Sequence, residues 1–117
     1  MSEKLSSEQF PPKPHGSAAA KLPGLIFCSG QIGQGEIKAA TLTALTNLKA
    51  VLELGGSTLE DVAKVNIFLK DMDDFEAMNS VYTTFMPTPK PARTCIQAGR
   101  LPGGETTAIE IECIARA

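Results

Sequence analysis

The chain has 117 residues, of which 43% are hydrophobic and 21% charged, with a formal net charge of −2. A chain of this size buries about 65% of its unfolded surface, enough for one core without metals or disulfides as staples. The slight acidic balance and the lack of a dense Lys/Arg stripe argue against nucleic acid as the main partner.

With no Trp, one Tyr and five Phe, the core must be mostly aliphatic. Cys28, Cys95 and Cys113 are odd in number, lie in apolar strand-like runs and form no C-x-x-C pair. They are expected to be reduced thiols of an intracellular protein. No apolar run has the length of a membrane span. The N-terminus shows no apolar signal core and no Arg-rich transit helix. The expected location is the cytoplasm, with the mitochondrial matrix as the alternative, and no membrane partner is expected.

In chain order, residues 1–21 are polar and punctuated by Pro11, Pro12, Pro14 and Gly16. This segment is expected to wrap over the domain or to be partly flexible. It holds His15, the only histidine, which reads as an exposed loop residue. A lone imidazole also leaves no second one for a metal site.

Residues 24–32 read as a strand between Pro23-Gly24 and Gly33, and the apolar start predicts burial on both faces. Ser29 and Gln31 are the polar exceptions near its end, where a ligand contact is plausible chemistry. The glycines at 30, 33 and 35 fit neither phosphate-loop spacing, so nucleotide binding is set aside in favour of a tight turn.

A helix is predicted over 38–54, with Leu42, Leu45, Leu48 and Leu52 as its apolar stripe and Gly55-Gly56 as its stop. Ser57 with Glu60 reads as a capping box for a short helical turn. Residues 62–70 alternate: Val65, Ile67 and Leu69 face the core, while Lys64, Asn66, Phe68 and Lys70 face away. Asp71 to Asp74 place acidic residues at the positive end of a second helix, with Phe75, Met78, Tyr82 and Phe85 as its stripe. Met86-Pro87-Thr88-Pro89 stops it.

The C-terminus reads as two strands, 90–98 and 108–115, joined by turn chemistry at Pro102-Gly103-Gly104. Paired as a hairpin, they put Cys95 opposite Glu110 and Arg93 opposite Glu112. Arg93, Cys95, Glu110 and Ser29 then share one sheet face with Phe27 and Ile114. The structural alternative is a cross-strand ion pair on a solvated face, worth about 0.2–1 kcal/mol. The order strand, helix, strand, helix, strand, strand predicts an α+β sandwich: one mixed sheet with two helices packed on one face. The open face, carrying Phe27 and Ile114, is expected to be buried by another subunit.

Several blocks in order carry a resemblance. These are residues 25–32 (Leu-Ile-Phe-Cys-Ser-Gly-Gln-Ile), residues 47–51, Asp74-Phe75 with Asn79 and Tyr82, Pro91-Ala92-Arg93-Thr94-Cys95, Leu101-Pro102 and residues 109–115. From about residue 24 onward the chain resembles the RidA/YjgF/UK114 family of reactive-intermediate deaminases. The resemblance implies one RidA-like domain over 1–117 with a chorismate-mutase-like α+β fold. It also implies a homotrimer whose sheets face a central barrel, with ligand clefts between subunits. The activity it implies is hydrolysis of enamine/imine intermediates, such as 2-aminoacrylate, to 2-keto acids and ammonia, with no metal, pyridoxal phosphate or nucleotide.

Carried over residue by residue, Arg93 grips the substrate carboxylate and Glu110 orders the attacking water. Cys95 and Ser29 line the pocket, and Gly30 offers backbone contacts. Glu112 keeps a structural role. The chain departs from the family in three places. Gly16 stands where the family usually has a Tyr, the stretch between Ile32 and the first helix is several residues shorter, and the Phe85–Pro91 loop is short. These departures favour binding of a small carboxylate over full catalytic competence. They keep two alternatives alongside the deaminase: a non-catalytic carboxylate-binding or regulatory trimer, and, more weakly, an RNA-acting translation inhibitor or ribonuclease.

Overall fold

The structure is a computed structural model that describes residues 2–117. Six strands form one sheet: β1 (Glu3–Leu5), β2 (Ala19–Leu22), β3 (Leu25–Gln34), β4 (Val62–Leu69), β5 (Ala92–Gln97) and β6 (Thr107–Arg116). Helix α1 spans Ile37–Leu54 and helix α2 spans Phe75–Phe85. The sheet order is β1-β2-β3-β6-β4-β5. All pairings are antiparallel except β4 with β5. This is the α+β layout expected from the sequence, with β1 and β2 added at the N-terminal edge. No helix among the described residues is long and apolar enough to cross a membrane.

The predicted C-terminal hairpin does not form. β4 lies between β5 and β6, pairing parallel with the first and antiparallel with the second. The turn signal at 102–104 is real, since Gly103 and Gly104 both have positive φ. It belongs to a longer connection that returns the chain to the sheet one strand further in. A two-strand pattern cannot reveal an inserted third strand, because inward and outward alternation is the same for either neighbour.

The register also changes the faces. Val65, Ile67 and Leu69 are fully buried toward the helices. Arg93 pairs with Val65 and Cys95 with Ile67, so both point to the helix side. Glu110 pairs with Phe68 and Glu112 with Asn66, on the open side. The expectation that Arg93 and Cys95 share a face with Glu110 and Ser29 is therefore overturned.

α1 packs on β3 and β6 through Ala40, Thr41, Ala44, Leu45, Leu48, Val51 and Leu52. Leu42, expected in that stripe, is 50% exposed. Small residues at 40, 41 and 44 take its place because the helix N-terminus approaches the sheet closely: a Cβ on Gly33 would lie 1.9 Å from the Ala40 carbonyl oxygen. Glu36 caps the helix by accepting from Lys38 N and Ala39 N, both at 2.9 Å. The Ser57–Glu60 capping box is absent; Ser57 Oγ donates instead to the Arg116 carbonyl at 2.5 Å, tying the loop after α1 to the end of β6.

β3 is buried on one face only. Ile26 and Cys28 face α1, while Leu25 and Phe27 are 40% and 38% exposed. Phe27 pairs with Ile114 on the open face, and Ile96 of β5, 49% exposed, also lies there. The continuous apolar run was correctly apolar, but its second face has nothing to pack on within one chain.

Candidate active site

Two groups of the predicted residues form separate half-sites. The first is built where edge strand β5 meets α2. Phe75, Met78 and Tyr82 recur at helical spacing and form one face of α2. The Arg93 guanidinium carbon lies 4.7 Å from the Tyr82 ring centre and 5.6 Å from that of Phe75. Its Nη1 is 4.0 Å from the Met78 sulfur. The only ion pair among the described residues joins Lys49 to Glu53, so no carboxylate neutralises Arg93. A half-buried cation held by aromatic faces and a thioether keeps its planar donor fork available for an anion.

Cys95 lies two residues along the same face, partly buried against the core. Burial pushes its thiol pKa up, and the neighbouring Arg93 cation only partly opposes that. Cys95 is therefore a neutral thiol at physiological pH, suited to lining a pocket rather than to attacking a substrate.

The second half-site is a β-bulge. Cys28 pairs with Cys113 and Gln31 with Ile111, so Ser29 and Gly30 together oppose the single residue Glu112. Bulges re-aim side chains and are frequent beside active sites. Here the bulge brings the Gly30 backbone against Glu110, since a Cβ on Gly30 would lie 2.6 Å from the Glu110 carboxyl carbon. Ser29 Oγ donates to the Ser17 carbonyl at 2.7 Å, and Ser29 N donates to the Ala18 carbonyl at 2.9 Å. The N-terminal segment thus seals one side of the bulge. Gly16 lies in a small turn bridged to Lys13, and His15 is exposed within it.

Glu110 and Glu112 point to the same open face but differ in environment. Glu112 accepts from Asn66 Nδ2 at 3.2 Å, as a structural residue does. Among the described residues, no side-chain partner holds Glu110. Burial pushes its pKa up, with the Glu112 charge adding to the effect. Between the ordinary carboxylate value and this raised value, the folded chain keeps a proton that the unfolded chain has lost. Stability therefore falls as pH rises through that window and stays lower above it. Glu110→Gln is expected to melt at a higher temperature than the wild type at neutral pH. The gain should vanish below the carboxylate range, as a pair of thermal melts at the two pH values would show.

The chain thus gathers Arg93 with Cys95, and Ser29 and Gly30 with Glu110, but on opposite sides of the sheet. The residues missed by sequence reasoning are the supports of Arg93. The spacing of Phe75, Met78 and Tyr82 predicts a helix stripe, and nothing in it shows that an arginine packs on them. Tyr82 is 3% exposed, and its hydroxyl has no hydrogen-bond partner among the described residues. Its ring is therefore the useful part. Tyr82→Phe should leave folding and ligand affinity unchanged, whereas Tyr82→Leu should weaken carboxylate binding several-fold by removing about 1 kcal/mol of cation–π support. Calorimetric titration of both variants with a small 2-keto acid checks this.

A family model described as Endoribonuclease L-PSP matches residues 8–117. The chain belongs to this family, the one also called YjgF/RidA. The protein mmf2 of Schizosaccharomyces pombe, named as mitochondrial, is 50% identical over 108 residues, covering 83% of each chain. A protein of Dermatophagoides farinae named 2-iminobutanoate/2-iminopropanoate deaminase is 36% identical over 123 residues, covering 96% of this chain and 94% of its own. The crystal structure of RidA from a Psychrobacter species superposes with a TM-score of 0.87 at 31% identity, over 98% of this chain and all of that one. Membership of the YjgF/RidA family fixes the chorismate-mutase-like fold. In this RidA-like chain the helices cover one sheet face and leave the other, with Phe27, Phe68, Glu110 and Ile114, uncovered by helices.

Proposed function

We propose that this protein hydrolyses reactive enamine/imine acids of the 2-aminoacrylate and 2-iminopropanoate type, giving 2-keto acids and ammonia. The observation that carries this reading is Arg93: a half-buried guanidinium with no anionic partner, held in place by Phe75, Met78 and Tyr82. Such a group calls for a planar carboxylate that it can hold through two parallel hydrogen bonds. The D. farinae relative named for this reaction supports the same substrate class.

Because Arg93 and Glu110 lie on opposite sides of one sheet, one substrate molecule cannot touch both within a chain. A homotrimer resolves this: Arg93 and Cys95 of one subunit meet Ser29, Gly30 and Glu110 of the next. The exposed Phe27 and Ile96 give such an assembly apolar surface to bury. In that cleft Arg93 fixes the carboxylate. The imine carbon is already electrophilic, so positioning a water and moving protons are sufficient. Glu110 takes a proton from water as the oxygen bonds to carbon. That proton passes to the imine nitrogen and completes a carbinolamine; Glu110 then takes the hydroxyl proton and delivers it to the same nitrogen, the C–N bond breaks, and ammonia leaves with the keto group formed. A carboxylate with a raised pKa suits both halves of this transfer. The reaction would belong where pyridoxal-phosphate enzymes release such imines, in the cytoplasm or mitochondrial matrix.

The test is a coupled assay with a serine or threonine dehydratase as the imine source. Acceleration of keto-acid release is expected from the wild type, and no acceleration would overturn the proposal. A second reading, a carboxylate-binding trimer without turnover, is favoured by Gly16 at the usual Tyr position. It predicts that 2-oxobutyrate raises the melting temperature while the coupled assay stays flat. The ribonuclease in the family description is the weaker alternative, because the lone His15 is exposed and the net charge is −2. Absence of RNA retention on filters at low salt would remove it.

A further inference from the structure

The buried cysteines take no part in the chemistry above. β3 and β6 place Cys28 directly opposite Cys113 in an antiparallel ladder, both turned toward α1 and 5% and 2% exposed. Both are free thiols. Directly opposed residues on antiparallel strands have Cα atoms about 4.5–5.5 Å apart. A disulfide spans about 4.4–6.8 Å between Cα atoms, so the strands already have the required spacing.

The two sulfurs interact. A hydrogen bond from Cys113 holds the Cys28 pKa below its usual value, against the opposing effect of burial, while Cys113 is pushed up. The two thiols therefore titrate as one pair, and disulfide formation needs only that one of them lose its proton and react while the other follows as the resolving thiol. Cys28 is also the last paired residue before the Ser29–Gly30 bulge, where the ladder is interrupted. Local opening at a bulge gives a small oxidant a path to a sulfur that is otherwise covered. Cys95 has no such partner, since it pairs with Ile67.

We propose that Cys28 and Cys113 are a dithiol–disulfide couple that closes across β3 and β6 when the protein meets a peroxide. Cys28, the sulfur beside the bulge, loses its proton and attacks one peroxide oxygen, the O–O bond breaks, and the departing hydroxide takes up that proton to become water. Cys28 is then a sulfenic acid. The Cys113 sulfur attacks the Cys28 sulfur, the S–O bond breaks, and a second water leaves with the Cys113 proton. Two thiols are oxidised to one disulfide and the peroxide is reduced to two waters. The new bond lies next to Ser29 and three residues from Glu110, so it restrains the bulge that forms the second half-site. That regulatory consequence rests on the deaminase reading; the couple itself does not.

The experiment treats the native reduced protein with hydrogen peroxide, blocks remaining thiols under denaturing conditions and maps peptides without reduction. The expected result is loss of two of the three thiols and a linked peptide pair containing Cys28 and Cys113, cleaved by dithiothreitol. It should persist in Cys95→Ser and be absent from Cys28→Ser and Cys113→Ser. Oxidation confined to Cys95, or a disulfide that includes Cys95, would overturn the proposal. Keto-acid release measured before and after treatment reads the regulatory part separately. An unchanged rate with the cross-link present would overturn regulation while upholding the couple.

Discussion

Arg93→Ala is expected to lower kcat/KM for imine hydrolysis about a hundredfold or more, because two hydrogen bonds to a charged carboxylate, each worth about 1.5–3 kcal/mol, are lost together. Arg93→Lys should recover little of this. An ammonium is a point charge and cannot reproduce the planar fork or stack on Tyr82 and Phe75. The coupled assay reads the loss, and a thermal melt checks that the variant is folded. Arg93 lies on an edge strand and is only half-buried, so its removal leaves the central core residues Ile67, Ile109 and Ile111 in place. Activity equal to wild type in Arg93→Ala would mean that the carboxylate is held elsewhere.

The largest effect on stability is expected at Gly33. A Cβ there would meet Ala40 backbone atoms at 1.9, 2.5 and 2.7 Å, so the first turns of α1 would have to lift from β3. Gly33→Ala should cost about 3 kcal/mol or more, at the upper end of overpacking penalties. Urea denaturation midpoints measure it. Gly30→Ala makes a useful contrast. The atoms its Cβ would meet belong to the flexible Glu110 side chain, 2.6 Å from the carboxyl carbon and 3.0 Å from Oε2. That clash moves the carboxylate rather than the backbone, so the variant should stay folded and lose activity.

Much of the fold was legible because periodicity records burial. The alternation at 62–70 and at 108–115 assigned the helix-facing residues correctly, and α1 was placed to within one residue. The fold also kept what a single chain leaves uncovered, since Phe27 and Ile114 pair on the open face as expected. What failed was strand adjacency. Residues 90–98 and 108–115 look like partners because a turn separates them, whereas the hydrogen bonds of β5 go to β4. This error also placed Arg93 and Cys95 on the wrong face. Sequence parity shows which residues of one strand share a face, but not which face of the sheet that is when its neighbour is misassigned. The Ser29–Gly30 bulge was likewise invisible, because one extra residue in a strand leaves no compositional mark beyond a glycine. The Arg93 support by α2 is a tertiary contact between elements whose own patterns were both correctly read.

In the proposed deaminase the cleft is completed by a second copy of the chain. Mixed assembly tests it most directly. Arg93→Ala and Glu110→Gln subunits, each inactive alone, are co-refolded in equal amounts and assayed for keto-acid release. If Arg93 of one subunit meets Glu110 of the next, about a quarter of the clefts in a randomly mixed trimer combine both native residues, and that fraction of activity returns. If the mixture stays as inactive as its parents while wild-type protein refolded in parallel recovers its rate, the two half-sites do not meet across subunits, and the proposed cleft is wrong.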